Sequence, residues 1–120
     1  MNRIAALAVA AVMLVLPATA RSDTAFRTDG AATVTLAATA ASGRVQIRAA
    51  AGGTQHVRIY NSGSVAVFIE CGTVAVVATV AASLPVAPGS VEILGCNSTH
   101  VAGITGTGTA TLYVTPGTGI

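Results

Sequence analysis

The chain has 120 residues, of which 52% are hydrophobic, 8% are charged and 3% are aromatic. Its six basic residues are all arginine and stand against four acidic ones, which makes the formal net charge +2. This composition is too apolar for a disordered protein and too rich in glycine and threonine for a helical bundle. With no lysine and few aromatic residues, it also argues against a nucleic-acid-binding protein. The length suits a single domain.

The first 20 residues have the layout of a secretory signal peptide. Arg3 supplies a positive charge, residues 4–16 form an unbroken apolar run, and Pro17 ends that run before the small residues Ala-Thr-Ala. The run is short for a membrane-spanning helix. We therefore expect cleavage after Ala20 and a secreted or periplasmic mature chain without a membrane span. The alternatives are an uncleaved anchor and a misassigned start.

Beyond the leader, short alternating runs separated by turn residues predict an all-β domain. We expect a flexible segment over residues 21–31 and a small antiparallel β-sandwich, Ig-like or jelly-roll-like, over residues 32–120. Seven or eight short strands are predicted. They cover residues 32–38, 44–49, 55–60, 64–70, 74–80, 90–95 and 109–115, with a weaker strand at 100–105.

Aliphatic and polar residues alternate along three of the middle strands. Because successive side chains of a strand point to opposite faces, pairing of these strands as hairpins gives one aliphatic face and one polar face. The polar face would carry Arg44, Arg48, His56, Arg58, Tyr60 and Glu70. We expect this face to be solvated, and the alternative is a docking patch for an acidic partner.

The C-terminal part of the chain is uncharged. No Asp, Glu, Lys or Arg follows Glu92, and residues 74–80 are also uncharged and β-prone. An exposed segment of this kind is an aggregation hazard, so we expect another subunit or a protein partner to cover part of it. A charged substitution at Val76 or Val80 should then impair solubility or assembly. The alternative is a bland exterior of alanine and threonine.

Cys71 and Cys96 are the only cysteines, and they are the candidate disulfide of an exported protein. Two buried free thiols are the alternative. His56, Cys96 and His100 also stand in the ligand order of a blue-copper site, which needs two imidazoles and a thiolate. The axial methionine of such a site is missing, and a copper site excludes the disulfide. We therefore expect no metal and no cofactor.

The motifs of catalysis are missing from the sequence. It contains no Gly-x-Ser-x-Gly elbow and no phosphate-binding loop with a lysine. Its few carboxylates are isolated and do not indicate a paired-carboxylate cleft. We therefore expect a protein that is not an enzyme.

Several blocks of the chain carry a resemblance to a known class. They read VRIYNSG (57–63), VFIECGT (67–73), LPVAPGS (84–90), THVAGI (99–104) and GTATLYVTPGTG (108–119). Their order resembles that of small β-rich virion structural or head-decoration proteins of tailed phages and prophages, over about residues 30–120.

That resemblance implies a structural component that docks on a capsid or tail shell, or on copies of itself, and it carries over no catalytic or ligand residues. Phage head components assemble in the cytoplasm and need no leader, so a virion location requires a misassigned start. An exported surface or periplasmic module with a binding or adhesive role is the alternative. A small cupredoxin-like copper protein is a remote second alternative.

Overall fold

The computed structural model describes residues 24–53 and 55–119, so the predicted signal peptide over residues 1–20 lies outside the described residues. Within these two ranges, no helix is long and apolar enough to cross a membrane. Nine strands are present, namely β1 (Arg27–Thr28), β2 (Val34–Ala38), β3 (Gly43–Gln46), β4 (His56–Asn61), β5 (Val67–Gly72), β6 (Leu84–Val86), β7 (Val91–Gly95), β8 (His100–Thr105) and β9 (Ala110–Thr118).

The strands form two antiparallel sheets that pack as a sandwich, which confirms the predicted fold class. The first sheet has the order β2-β9-β4-β7, and the short β1 pairs with the far end of β9 on the same edge as β2. The second sheet has the order β3-β8-β5-β6. These two orders are those of an eight-stranded jelly roll, in which the chain alternates between the sheets. Strand order thus selects the jelly roll from the two architectures that the sequence left open.

The core lies between the sheets and consists of aliphatic side chains from both. The alternation that was read from the sequence is correct here, because Val57 and Ile59 of β4 and Val67 and Ile69 of β5 all face inward and are buried. Leu36, Val101, Leu112 and Val114 are also buried in this core. Apolar residues on one face of each strand therefore account for how the two sheets adhere.

The expected hairpin pairing of the three middle strands is wrong. β3 pairs with β8, β4 pairs with β9 and β7, and β5 pairs with β8 and β6. In a jelly roll the connections cross from one sheet to the other, so strands that follow each other in sequence are often not neighbours. Alternation identifies the inward face of a strand, but it carries no information about which sheet the strand joins.

The strand predicted over residues 74–80 is also wrong, because residues 73–83 form a loop between β5 and β6. Hydroxyl side chains accept hydrogen bonds from backbone N–H groups, which in a sheet would be paired with a neighbouring strand. Ala78 N donates to Ser42 Oγ at 2.9 Å, and Thr79 N donates to Ser83 Oγ at 2.9 Å. Within the loop, Ala75 N donates to Thr73 Oγ1 and Ala82 N donates to Thr79 Oγ1. Threonine and serine thus offer this segment an alternative to a sheet ladder.

Two further strands were missed by the prediction, and a weakly predicted one is confirmed. β1 and β6 were not predicted, and Pro85 is tolerated in β6 because β6 is an edge strand. The weak strand at 100–105 is β8, an interior strand of the second sheet. Gly103 interrupts its aliphatic pattern because a Cβ there would lie 2.9 Å from the side chain of Leu36.

Candidate docking surfaces

The predicted disulfide between Cys71 and Cys96 is confirmed, with a Cα–Cα distance of 5.9 Å. Cys71 belongs to β5 of the second sheet, and Cys96 directly follows β7 of the first sheet. The bond therefore joins the two sheets covalently at one end of the sandwich. Because the sulfur of Cys96 is bonded to Cys71, it offers no thiolate to a metal, and the remote copper alternative with His56 and His100 is excluded.

The two histidines make separate contacts. His56 Nδ1 accepts a hydrogen bond from the backbone N–H of Gly119 at 3.2 Å. His100 Nδ1 lies 2.7 Å from the hydroxyl of Thr99. Over the described ranges, no three His, Cys, Asp or Glu side chains are grouped closely enough to hold a metal ion.

Arg48 is buried at the disulfide end, with only 8% of its surface exposed. Its guanidinium donates to the backbone carbonyls of Cys96, Ser98 and His56, the last two at 2.8 and 3.0 Å. Burial lowers the pKa of Arg48 from its ordinary value, and the charge of Asp29 partly opposes this shift. The prediction that Arg48 lies on an outward polar face is therefore wrong. β3 ends at Gln46, so the period-2 pattern no longer applies at position 48.

A polar cleft of about 550 Å³ opens beside the disulfide. Its lining includes Gln55, His56, Glu70, Asn97 and Ser98. The Oε1 atom of Gln55 is buried there without a hydrogen-bond partner, and Glu70 accepts a hydrogen bond from Ser83 Oγ at 3.1 Å. Glu70 is the one carboxylate among the described residues that line this cleft. The cleft therefore does not hold a pair of carboxylates in these residues.

The outer face of the first sheet presents two tyrosines at its centre. Tyr60 of β4 pairs with Tyr113 of β9, and their ring centroids lie 6.1 Å apart with planes 24° from parallel. Val91 and Ile93 of β7 extend this row, because they pair with Tyr60 and Arg58. Tyr113 and Val91 are 42% and 41% exposed. We call these five residues the tyrosine face.

The predicted polar face is divided between the two sheets. Arg44 is exposed on β3 of the second sheet, whereas Arg58 and Tyr60 lie on β4 of the first, with half-buried His56 two positions before Arg58. Sequence reasoning missed Val91 and Ile93. Their alternation with Glu92 and Leu94 is visible in the sequence, but their position beside the tyrosines follows only from the β4–β7 pairing.

The loop of residues 73–83 carries a second apolar surface. Val74 and Val77 are 62% and 60% exposed, and Val80 is also exposed. We call these three residues the valine patch. It contains the uncharged segment singled out in the sequence, and the structure leaves that segment on the outside of the molecule.

Hydrogen bonds hold the valine patch over the outer face of the second sheet. The loop leaves β5 and returns to β6, yet Ala78 N reaches Ser42 Oγ, next to β3 at the opposite edge of that sheet. Ala78 and Ala102 are both buried, although Ala102 points outward from β8. The loop therefore covers the sheet and presents its valines to the exterior.

Comparison with protein-family models, with curated protein sequences and with solved structures finds no match to this chain.

Proposed function

We propose that this chain is a non-enzymatic structural protein that docks on a larger protein assembly through the valine patch. The observation that carries this proposal is the exposure of that patch on a disulfide-bonded sandwich. An apolar surface without charge, held in place by hydrogen bonds, is typical of a protein–protein interaction site. Binding through a mobile loop costs conformational entropy, because the loop must become ordered. This loop is already ordered within the fold, so binding through it avoids that cost.

The assembly we propose is a virion shell, so that the chain is a decoration-type component of phage or prophage origin. The order of the sequence blocks over residues 57–119 supports this origin, because it resembles that of phage and prophage structural proteins. The jelly-roll order supports it as an analogy, since viral capsid domains use this topology, as do lectins and cupins.

A second candidate function is that of an exported surface or periplasmic binding module. The Cys71–Cys96 disulfide favours this candidate, because disulfides persist in oxidising compartments outside the cytoplasm. It also agrees with the leader-like pattern of residues 1–20. The two candidates share the valine patch and differ in compartment and partner.

Fractionation of the native host distinguishes the two candidates. After prophage induction, the chain should co-sediment with viral particles in a density gradient, and its intact mass should show whether residues 1–20 remain. Recovery only from the periplasm or medium, without residues 1–20 and apart from particles, would exclude the virion proposal in favour of the exported module.

A pair of matched variants tests the valine patch itself. Val77→Asp should reduce the amount of chain on purified particles at least tenfold, because a carboxylate would be buried in an apolar contact. Thr107→Asp places the same charge in the exposed β8–β9 turn and should leave occupancy unchanged. Equal occupancy for both variants would rule out the valine patch as the docking site.

A further inference from the structure

We infer that a second copy of this chain covers the valine patch with its tyrosine face, so that copies stack head to tail. This inference rests on the proposed function, because it uses the same patch and names its occupant. Seven large hydrophobic side chains of the described residues are exposed. Three of them, Val74, Val77 and Val80, form the valine patch, and three others, Val91, Ile93 and Tyr113, belong to the tyrosine face. The seventh, Leu84, lies at the edge strand β6 on the side that faces the core. The observed exposed apolar surface is thus concentrated at two sites.

The two surfaces lie on opposite sides of the sandwich. The valine patch covers the outer side of the second sheet, and the tyrosine face is the outer side of the first. A contact between them uses a different surface from each copy, which makes it heterologous. A pair of copies joined in this way still has one free surface of each kind, a valine patch at one end and a tyrosine face at the other, so association continues into a ring or a filament.

The charges beside the two surfaces favour this head-to-tail contact over a symmetric contact between two tyrosine faces. Arg58 is the charged residue of the tyrosine face, and Glu70 borders the valine patch through its hydrogen bond from Ser83. Head-to-tail stacking brings these opposite charges to the same interface. Two tyrosine faces packed together would instead oppose two arginines, which disfavours that arrangement. Arg44 and Glu70 both pair with Ala102 beneath the loop, so the valine patch has one charge of each sign beside it, and it is the Glu70 side that suits Arg58.

The contact is small. The tyrosine face spans three strands and three residues along β4 and β7, which is roughly 15 Å by 10 Å at ordinary strand spacings. Such a contact belongs with the small interfaces that bury less than about 1,200 Å² in total. We therefore expect association on the order of tens of micromolar, strengthened wherever copies are already held close together on an assembly.

Complementary variants test the head-to-tail arrangement. Val77→Asp disables the valine patch and keeps the tyrosine face, whereas Tyr113→Asp does the opposite. In analytical ultracentrifugation of the disulfide-bonded protein, wild type and Thr107→Asp should associate with rising concentration, and each disabled variant alone should remain monomeric. An equimolar mixture of the two variants should form a dimer that grows no further, because its outer surfaces are both disabled.

Two results would overturn the inference. One is self-association of either variant alone to the extent seen for wild type, since a symmetric interface uses only one of the two surfaces. The other is a wild-type chain that stays monomeric at millimolar concentration, and in that case the particle-occupancy test of Val77→Asp still decides the proposed function separately.

A charge exchange provides a second test in case Tyr113→Asp does not fold, as judged by circular dichroism. Arg58→Glu alters an exposed side chain and should weaken self-association about tenfold. Mixing it with Glu70→Arg should restore the contact between the exchanged surfaces. No difference between that mixture and Arg58→Glu alone would remove these two residues from the interface and contradict the proposed orientation.

Discussion

The guanidinium of Arg48 donates a hydrogen bond to the backbone carbonyl of Cys96, whose sulfur is bonded to Cys71 in the opposite sheet. The disulfide bond and the charged guanidinium of Arg48 therefore meet at Cys96, directly after β7. The same guanidinium also binds the carbonyls of Ser98 and His56, so it connects the β7–β8 connection to the start of β4. This end of the sandwich is thereby held by side-chain contacts as well as by sheet ladders.

Removal of the disulfide should destabilise the domain substantially. The two cysteines are 25 positions apart, and the chain-entropy estimate for a loop of that length is about 3.5 kcal/mol. We expect the double variant Cys71→Ala, Cys96→Ala to lose free energy of unfolding of about that size in urea denaturation. Wild type measured with a strong reductant is the control and should approach the double variant, and an undiminished midpoint in both would contradict a stabilising bond.

Replacement of Arg48 should destabilise the fold far more than replacement of the exposed Arg44. Arg48→Met leaves the carbonyls of Cys96, Ser98 and His56 without their donor and should cost about 2–4 kcal/mol. Arg44→Met makes the same chemical change on the exposed side of β3 and should cost less than about 0.5 kcal/mol. Urea denaturation of both variants measures the difference, and equal effects would show that the three carbonyl contacts contribute nothing.

The side chain of Asn61 should be essential to the opposite end of the sandwich. It is fully buried, and its Nδ2 donates to the carbonyls of Val65 and Val86 while its Oδ1 accepts from Gly63 N. Asn61→Asp removes both donated bonds and buries a carboxylate, so we expect a loss of about 3 kcal/mol or more at pH 7. The exposed Asn97→Asp is the matched control. A thermal melt that shifts equally for both would refute this role.

Neighbouring valines of the β5–β6 loop should respond differently to charge. Val76 is half-buried against Gly72, where even an added Cβ would lie 2.9 Å from the valine side chain. Val76→Asp should therefore lower the free energy of unfolding by about 1–2 kcal/mol. Val77→Asp should change it by less than about 0.5 kcal/mol, because Val77 points to solvent. Equal stability losses in urea would mean that the loop does not hold this conformation in solution.

Much of the fold could be predicted from local patterns. Alternation in the chain identified β4 and β5 and the inward side of each, because burial of one sheet face imposes a period of two on the sequence. The same rule failed over residues 74–80, where the composition suits a strand but serine and threonine hydroxyls bind the backbone instead. β-propensity describes a side chain that fits a pleated surface, and it does not report whether a neighbouring strand is available.

The candidate surfaces were harder to predict than the strands. The sequence identified an uncharged valine segment and the pair Arg58 and Tyr60, and both lie on exposed surfaces in the structure. It grouped Arg44 and Arg48 with them because parity alone cannot separate two sheets or detect where a strand ends. The partnership of Tyr60 with Tyr113 depends on a pairing between residues 53 positions apart, for which no local signal exists.

The sequence by itself determined an all-β domain and the inward residues of its middle strands. These properties follow from composition and short-range periodicity, which act within one strand. Only the tertiary structure decided the jelly-roll order, the burial of Arg48 and the position of the two apolar surfaces on opposite sheets. Those properties depend on which distant strands become neighbours, and that choice is made by the packing of the whole core.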